Sequence, residues 1–426
     1  MDRPLRFCMI TTFYPPYNFG GDGIFVHRLS NELARRGHQV DVIHCSDAYR
    51  LVAGRGPVGG YDDHPNVTVH TLKSPFGFLS PLATQQTGFP LFKSAGIRRV
   101  LEKGFDVIHY HNISLIGPKV FELGEAVKLY TLHEYWLVCP THVLFRFNRA
   151  ACTRRFCFAC TLVHKRPPQW WRYSGLLDAA ARHVDTFIAP SRFSKEKHRE
   201  MGFAAPIVFL PHFVPANEED AASYERPLDR PSDKPFFLFV GRLEKLKGLQ
   251  TIIPIFRGYH KAELWIAGIG DYEPKLRQLA GGGVDIRFLG HVSHGRLRRL
   301  YREAVAVIVP SICFETFGQV IAEAFSQQTP AVVRNLGAMP ELIEESGGGL
   351  IFDTDTELIA AMDTLLSDAS RRQTLGLSGY QAYLRNWTPK AHMRRYLALI
   401  HDIAAAKARR KLDAPEDGFK WAHSET

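Results

Sequence analysis

The sequence predicts an α/β protein with two doubly wound domains, each built on a parallel β-sheet that helices cover on both faces. Three observations support this prediction. The chain has 426 residues, which is more than one ordinary domain holds. Short apolar strands alternate with helical stretches in both halves of the chain. A polar stretch at 214–235 contains four prolines and separates the two halves, as a linker would.

The N-terminal domain is predicted to span 1–213 and to open with a strand, a glycine-bearing loop, a helix and a second strand. Val26, Leu29 and Leu33 are spaced for one face of that helix. Gly37 stands where a helix C-terminal cap is expected. An irregular block at 135–172 interrupts the later part of the domain. The predicted strands lie at 6–12, 39–45, 67–73, 107–112, 128–134, 186–191 and 207–212.

The C-terminal domain is predicted to span 236–388 and to repeat the same architecture. Its strands are short and apolar throughout, which is typical of a parallel sheet buried on both faces. A helix at 389–412 is expected to pack back on the N-terminal domain, and the tail at 413–426 is expected to be disordered. The predicted strands lie at 236–241, 264–268, 286–290, 305–311, 330–335 and 349–353.

Composition narrows the class of protein. The net charge of +10 favours anionic partners such as nucleotides, acidic acceptors or acidic membranes. We find neither a run of about 18 apolar residues nor a signal-peptide cleavage site, so a cytoplasmic location is expected. The seven cysteines are an odd number, which argues against a disulfide framework in such a chain.

Two cations follow the strand at 236–241. Arg242 and Lys247 lie in the loop between this strand and the next helix, where ligands bind in open α/β sheets. An arginine can grip a phosphate through two parallel hydrogen bonds, and a lysine adds a point charge. The alternative interpretation is a pair of ordinary surface cations.

Two carboxylates follow the strand at 305–311. Glu315 lies in the loop, a helix opens at Gly318, and Glu323 lies inside that helix. The first backbone N–H groups of a helix have no partner within it, and they suit a phosphate. The carboxylate before these groups can accept sugar hydroxyls, and the one beyond them can accept ribose hydroxyls. The alternative is a helix with ordinary solvent-facing glutamates.

In sequence order, these motifs resemble those of the retaining GT-B glycosyltransferases of the family-four type, the glycosyl transferases group 1. FGQVIAEA at 317–324 resembles the end of their Glu-x7-Glu motif, and FVGRLEKLKG at 239–248 resembles their phosphate-binding segment. PPYNFGGDGIFVHRL at 15–29 resembles their glycine-rich loop, and LWIAGIGDYEPKL and IRFLGHV resemble strands that flank the base. The resemblance covers nearly the whole chain and implies GT-B architecture, with two Rossmann-like doubly wound domains facing a cleft.

The resemblance also implies roles for individual residues. His133 would face the transferred sugar and Glu315 would hold it. The remaining residues would bind the donor. Arg242 and Lys247 would bind its diphosphate, and Glu323 would bind its ribose. Gly21 would let the N-terminal loop approach the diphosphate. Main-chain groups of Phe317, Gly318, Gln319 and Val320 would contact the sugar or the phosphate. The family often has leucine where this chain has Gln319.

The function implied is transfer of a sugar, with retention, from a UDP- or GDP-sugar to a glycan or lipid-linked glycan in cell-envelope or polysaccharide synthesis. No metal cofactor is expected for catalysis, because Arg242 and Lys247 can neutralise the diphosphate and the one Asp-x-Asp, at 353–355, lies far from the predicted loops. The alternative is a non-catalytic nucleotide-sugar binding protein on the same scaffold. A zinc-dependent nucleic-acid binder is disfavoured, since the basic block lacks a finger-like histidine pair.

A cysteine-rich basic insertion lies at 135–172. It contains seven lysines and arginines and no acidic residue. The spacing Cys157-x2-Cys160, with Cys152 and Cys139 nearby, is typical of a structural zinc site. An Fe–S cluster and four reduced, partly buried thiols are the alternatives. Interleaved aromatic residues suggest peripheral contact with an anionic membrane, and the alternative is an insertion that only packs on its domain.

Overall fold

The computed structural model describes residues 3–53, 56–57, 60–215 and 233–412, which form two α/β domains. Most of the predicted linker and all of the predicted disordered tail lie outside the described residues. The two parallel sheets confirm the predicted α/β fold class.

The first domain is built on a seven-stranded parallel sheet in the order β3-β2-β1-β4-β5-β8-β9. Every side chain of β1 after its first residue is fully buried, since helices cover both faces. Two further strands of two residues each, β6 and β7, form an antiparallel hairpin outside this sheet. The strands are β1 Arg6–Ile10, β2 Gln39–Cys45, β3 Val67–Leu72, β4 Val107–Tyr110, β5 Val127–Thr131, β6 Phe145–Arg146, β7 Ala150–Ala151, β8 Thr186–Ala189 and β9 Ile207–Phe209. The helices are α1 Gly21–Arg35, α2 Ser46–Ala53, α3 Leu79–Thr87, α4 Ser94–Leu101, α5 Cys157–Val163, α6 Leu176–Ala181 and α7 Arg192–Glu200.

The second domain is built on a six-stranded parallel sheet in the order β12-β11-β10-β13-β14-β15. Its strands are β10 Phe236–Val240, β11 Glu263–Ala267, β12 Ile286–Gly290, β13 Val307–Val309, β14 Ala331–Arg334 and β15 Gly349–Phe352. Its helices are α8 Leu249–Gly258, α9 Glu273–Ala280, α10 His294–Glu303, α11 Gln319–Ser326, α12 Met339–Ser346, α13 Asp355–Ser367 and α14 Ala369–Asn386, followed by α15 Pro389–Leu412.

The strand order of each sheet reverses at one point, between β1 and β4 in the first domain and between β10 and β13 in the second. Loops leave the carboxyl ends of these two strand pairs in opposite directions, so each pair opens a crevice. The loops after β10 and β13 carry the cations and carboxylates predicted to bind the ligand. The topology therefore places the predicted residues where a doubly wound sheet binds its ligands.

The last helix, α15, returns to the first domain. Met393, Tyr396 and Ile400 are fully buried against the first sheet. The Tyr396 hydroxyl lies 2.8 Å from Nδ1 of the buried His109, and its ring stacks on Phe7 of β1. The helix α15 and the strand β1 thus share one hydrophobic core.

The cysteine-rich insertion contains little regular structure: the β6–β7 hairpin, α5 and a short 3-10 helix at Trp170–Tyr173. Its inner side packs on the first domain through the buried Trp136 and Trp171. No helix among the described residues combines the length and the apolar character needed to cross a bilayer.

We predict that Tyr396→Ala lowers the free energy of unfolding by about 3 kcal/mol or more, because it removes a buried ring that spans the helix and the sheet. Chemical denaturation followed by far-UV circular dichroism measures the change. Leu384→Ala is the matched control, since the Leu384 side chain on α14 is 44% exposed. Equal effects of the two substitutions would contradict the anchoring role of α15.

Candidate active site

The predicted donor-binding residues meet at the N-terminus of α11. Gly318 caps this helix with a φ of +97°, in the left-handed region where glycine is favoured over other residues. The helix begins at Gln319, directly after the Gly318 at which the sequence predicted that it opens, so its first N–H groups have no partners inside the helix. Phe317 is buried below them, and Val320 is half-buried. The arrangement offers backbone donors and a positive helix end to an anion.

An ion pair joins the two loops beside this helix end. The Lys247 ammonium lies 2.7 Å from Oε1 of Glu315, and the Ser311 hydroxyl donates to the same oxygen at 2.8 Å. Burial alone raises the pKa of Glu315, but the Lys247 charge and these hydrogen bonds outweigh burial and lower it. Glu315 is therefore ionised at neutral pH, and the pair connects the loop after β10 to the loop after β13.

Glu323 lies one turn further along α11 and has two partners. The Tyr301 hydroxyl donates to Oε2 at 2.9 Å. The Arg28 guanidinium, which comes from α1 of the other domain, lies 3.4 Å from Oε1. The carboxylate is 20% exposed, so a ligand in the cleft can reach it. Arg28 is thus a contact between the domains at the edge of the predicted ribose site.

The glycine-rich loop before α1 closes on the helix end from the first domain. A Cβ atom on Gly21 would lie 2.7 Å from Oε1 of Gln319, which is too close for any side chain to fit without displacement. A Cβ atom on Gly20 would lie 3.6 Å from Nε of Arg242. The glycine-rich loop therefore lies in close contact with side chains of the second domain, and a side chain at Gly21 would have to displace the end of the Gln319 side chain. The predicted placement of Gly21 opposite the donor-binding residues agrees with this geometry.

Arg242 lies at the mouth of the same cleft. Its side chain is 51% exposed and pairs with Glu244 at 2.9 Å. Because the pair is exposed, it holds the guanidinium only weakly. Arg242 can therefore turn towards an anionic ligand bound at the start of α11.

His133 lies two residues beyond the end of β5 and faces the loop that carries Glu315. Its carbonyl oxygen accepts a hydrogen bond of 2.9 Å from the Thr316 hydroxyl of the second domain. Its Nε2 lies 2.9 Å from Nδ1 of His111. Burial lowers the pKa of His133 to about 4, so the ring is neutral at physiological pH. A neutral imidazole in this position can exchange hydrogen bonds with a sugar.

His133 belongs to a cluster of histidine rings that the sequence did not reveal. The ring centroids of His133 and His212 lie 4.9 Å apart, and His212 lies 5.4 Å from the ring of Phe317. His109 and His111, on and just after β4, are both buried. These ring contacts surround the His133 side chain, while its carbonyl oxygen is bound by Thr316 of the second domain.

The four cysteines of the insertion line one cavity, together with Met201 and Phe156. The thiol of Cys160 accepts a hydrogen bond from the Phe147 N–H at 3.3 Å. In the described part of the chain, however, no three cysteine, histidine or carboxylate side chains are arranged to hold a metal ion. Zinc binding by Cys139, Cys152, Cys157 and Cys160 therefore stays a prediction.

Three polar partners in the site were missed by the sequence reasoning: Arg28, Tyr301 and Ser311. Arg28 had a signal, because it lies on the polar side of a helix that follows the glycine-rich loop. Tyr301 and Ser311 had none, since a tyrosine in an amphipathic helix and a serine after a strand are common everywhere.

Comparison with known proteins places the chain in a family. Residues 19–218 match the model described as Glycosyltransferase Family 4, and residues 220–382 match Glycosyl transferases group 1. An uncharacterized glycosyltransferase of Methanocaldococcus jannaschii is 25% identical over 385 residues, which cover 87% of this chain and 91% of that protein.

Solved structures with the same fold cover almost the whole chain. The sucrose-phosphate synthase of Thermosynechococcus elongatus superposes with a TM-score of 0.73 at 21% identity, covering 94% of this chain and all of that one. The Anabaena protein HepE, solved with UDP and glucose, superposes with a TM-score of 0.65 at 17% identity, covering 93% and 100% of the two chains. At these identities the likeness defines the fold.

Fold and family models together define the chain as a GT-B glycosyltransferase. It belongs to the group 1 family, and the family-four model matches its N-terminal half.

We predict that Glu315→Gln lowers the free energy of unfolding at pH 7 by about 1–3 kcal/mol, because Lys247 loses its charged acceptor. The folded-state pKa of Glu315 lies below its ordinary value of 4.5. The advantage of the wild type is therefore fully present above about pH 4.5 and is lost as the pH falls through the lowered pKa.

Chemical denaturation at a series of pH values measures this difference. Glu344→Gln is the control, since Glu344 is an exposed glutamate on α12. A stability difference between wild type and Glu315→Gln that stays constant down to strongly acidic pH would contradict the ion pair.

Proposed function

We propose that this protein is a retaining glycosyltransferase that moves a sugar from a UDP- or GDP-sugar to a glycan or lipid-linked glycan, without a metal ion in the chemical step. The observation that carries the proposal is the Lys247–Glu315 pair beside the free N-terminus of α11. It supplies a cation for the diphosphate and an anion for the sugar at one place.

The diphosphate would lie against the N-terminus of α11. Negative charge builds up on this group as the sugar leaves, so fixed positive groups here stabilise the transition state more than the bound donor. Lys247 supplies an ammonium, Arg242 can swing in from the cleft mouth, and the main-chain N–H groups of Gln319 and Val320 supply dipoles. These groups do what a divalent cation does in other nucleotide-sugar enzymes.

The sugar would lie between Glu315 and His133. Glu315 is ionised and accepts hydrogen bonds from sugar hydroxyls, while the neutral ring of His133 closes the pocket from the other domain. Oε1 of Glu315 already accepts hydrogen bonds from Lys247 and Ser311, which makes this carboxylate a poor nucleophile. We therefore favour a front-face reaction, in which the bond from the anomeric carbon to the phosphate oxygen breaks. The acceptor oxygen bonds to the same face, and its proton passes to the departing phosphate.

The ribose would be held by Glu323. Both of its oxygens already have partners, and the Arg28 contact at 3.4 Å is the longer one. A ribose that donates two hydroxyls to Glu323 would take the place of Arg28 and leave the bond from Tyr301 intact.

We predict that Glu315→Gln lowers transfer from the donor by at least about a hundredfold, the scale on which loss of one preorganised polar group acts in other enzymes. Binding of UDP or GDP should change little, since Lys247 and the helix end remain. Glu323→Ala should instead weaken nucleotide binding with a smaller effect on the rate at saturating donor. Release of free nucleotide from a panel of UDP- and GDP-sugars measures the rate, and calorimetry measures binding.

Glu344→Gln controls for the change of a glutamate at the protein surface. Brief exposure to EDTA should leave the rate unchanged. Loss of the rate on brief chelation, with recovery on adding Mg²⁺ or Mn²⁺, would contradict metal-independent transfer, and full activity of Glu315→Gln would contradict the assigned site.

We also propose that the four insertion cysteines hold a structural Zn²⁺, which requires their side chains to rearrange. The proposal is supported by their common cavity and by Arg172, whose guanidinium lies over the rings of Trp136 and Trp171. Among the described residues, the buried Nη2 of Arg172 has no hydrogen-bond partner. Zinc bound by four thiolates carries a net negative charge, which would compensate this cation.

We predict about one zinc per chain in protein purified without added metal, as in other sites with four cysteine ligands. Elemental analysis measures it, and Cys157→Ser should remove the zinc. Cys45→Ser, which changes a buried cysteine outside the insertion, should retain it. Protein without zinc, or with iron in its place, would contradict the proposal.

A further inference from the structure

The described part of the chain exposes a concentration of large apolar side chains on the first domain. Of the 22 large apolar side chains that are exposed, thirteen lie in two segments, 76–92 and 156–173. They include Phe76, Phe78, Phe92, Phe158, Trp170 and Tyr173, which are 45–63% exposed. Single exposed apolar residues are ordinary, but a contiguous group marks an interaction surface.

The two segments form one surface. The Trp171 indole N–H donates to the carbonyl oxygen of Gln85 at 2.9 Å, and the Gln85 amide donates to the carbonyl oxygen of Pro167 at 2.9 Å. A Cβ atom on Gly88 would lie 3.1 Å from the Trp171 ring. These contacts hold α3 against the insertion, so the exposed side chains of both segments belong to one apolar patch.

The two segments of the apolar patch carry basic side chains and no acidic ones. The sequence contains no aspartate or glutamate from 64 to 101 or from 135 to 177. Five basic side chains of the insertion are exposed: Arg149, Arg154, Arg155, Lys165 and Arg166. A surface that combines exposed apolar side chains with basic ones is complementary to an anionic bilayer, where aromatic rings enter the headgroup region and cations meet the lipid charges.

We propose that the apolar patch is a membrane-binding surface that inserts α3 and the outer side of the insertion into an anionic lipid bilayer. A second copy of the chain is a poorer occupant, because a symmetric contact would bring two sets of basic side chains together. The apolar patch also lies on the side of the first domain that faces the proposed site of sugar transfer. Both segments follow the carboxyl ends of strands, β3 and β5, which is the edge of the sheet that carries Gly21 and His133.

The proposal does not depend on the transfer reaction, because the experiment measures binding of the full-length protein to vesicles. Flotation is compared for vesicles of phosphatidylcholine alone and of phosphatidylcholine mixed with phosphatidylglycerol, at low and high salt. The wild-type protein should float with the mixed vesicles at low salt. A smaller fraction should float with them at high salt, since salt screens the attraction between basic side chains and anionic lipids.

Two double variants separate the apolar and the charge contributions. Phe78→Ser with Trp170→Ser should reduce binding to the mixed vesicles by at least about tenfold, because two exposed rings no longer enter the bilayer. Arg154→Gln with Arg155→Gln should reduce binding to the mixed vesicles and leave any binding to phosphatidylcholine unchanged. Leu377→Ser with Leu384→Ser, on α14 of the second domain, is the matched control and should float like the wild type.

Three results would overturn the proposal. The first is a wild type that stays with unbound protein at low salt. The second is a control variant that loses binding as strongly as the Phe78 and Trp170 variant, with unchanged thermal unfolding in both. The third is a wild-type dimer in sedimentation that becomes a monomer in the Phe78 and Trp170 variant while vesicles bind neither, which would assign the patch to a second copy of the chain.

Discussion

The ion pair between Lys247 and Glu315 is the interaction on which the rest of the site depends. It joins the loops after β10 and β13 at the point where the strand order reverses. The Lys247 Nζ and Glu315 Oε1 atoms lie 2.7 Å apart, and both side chains are half-buried. Burial opposes each charge, but the charge of the partner outweighs burial, so the pKa of Lys247 is raised and the pKa of Glu315 is lowered. The proposed roles follow from this pair: the Lys247 ammonium binds the diphosphate, and the Glu315 carboxylate binds the sugar.

The second domain carries these charges, but the first domain completes the cleft. Gly21 lies against Gln319, Arg28 contacts Glu323, and the carbonyl of His133 accepts a bond from Thr316. All three are contacts between domains, and two of them involve residues proposed to bind the donor. If a ribose takes the place of Arg28 at Glu323, as proposed, donor binding replaces one of these contacts between the domains.

The sequence predicted the strands well because a parallel sheet buried on both faces needs uniformly apolar strands. It also predicted the start of α11, because Gly318 has a conformation that favours glycine. It could not predict the pairing of Arg28 with Glu323, since 295 positions separate them and only the tertiary fold brings them together. It indicated membrane contact for the insertion but not for the segment at 76–92, which looks like core until the fold leaves its side chains exposed.

If Lys247 is the counter-charge of the donor diphosphate, as proposed, its removal should weaken binding of the diphosphate and leave binding of the nucleoside unchanged. Calorimetry compares UDP with uridine and GDP with guanosine, for the wild type and for Lys247→Gln. The account predicts that the diphosphate binds much more tightly than its nucleoside in the wild type, and that this margin shrinks about tenfold or more in the variant. A margin that is unchanged in Lys247→Gln would contradict the account.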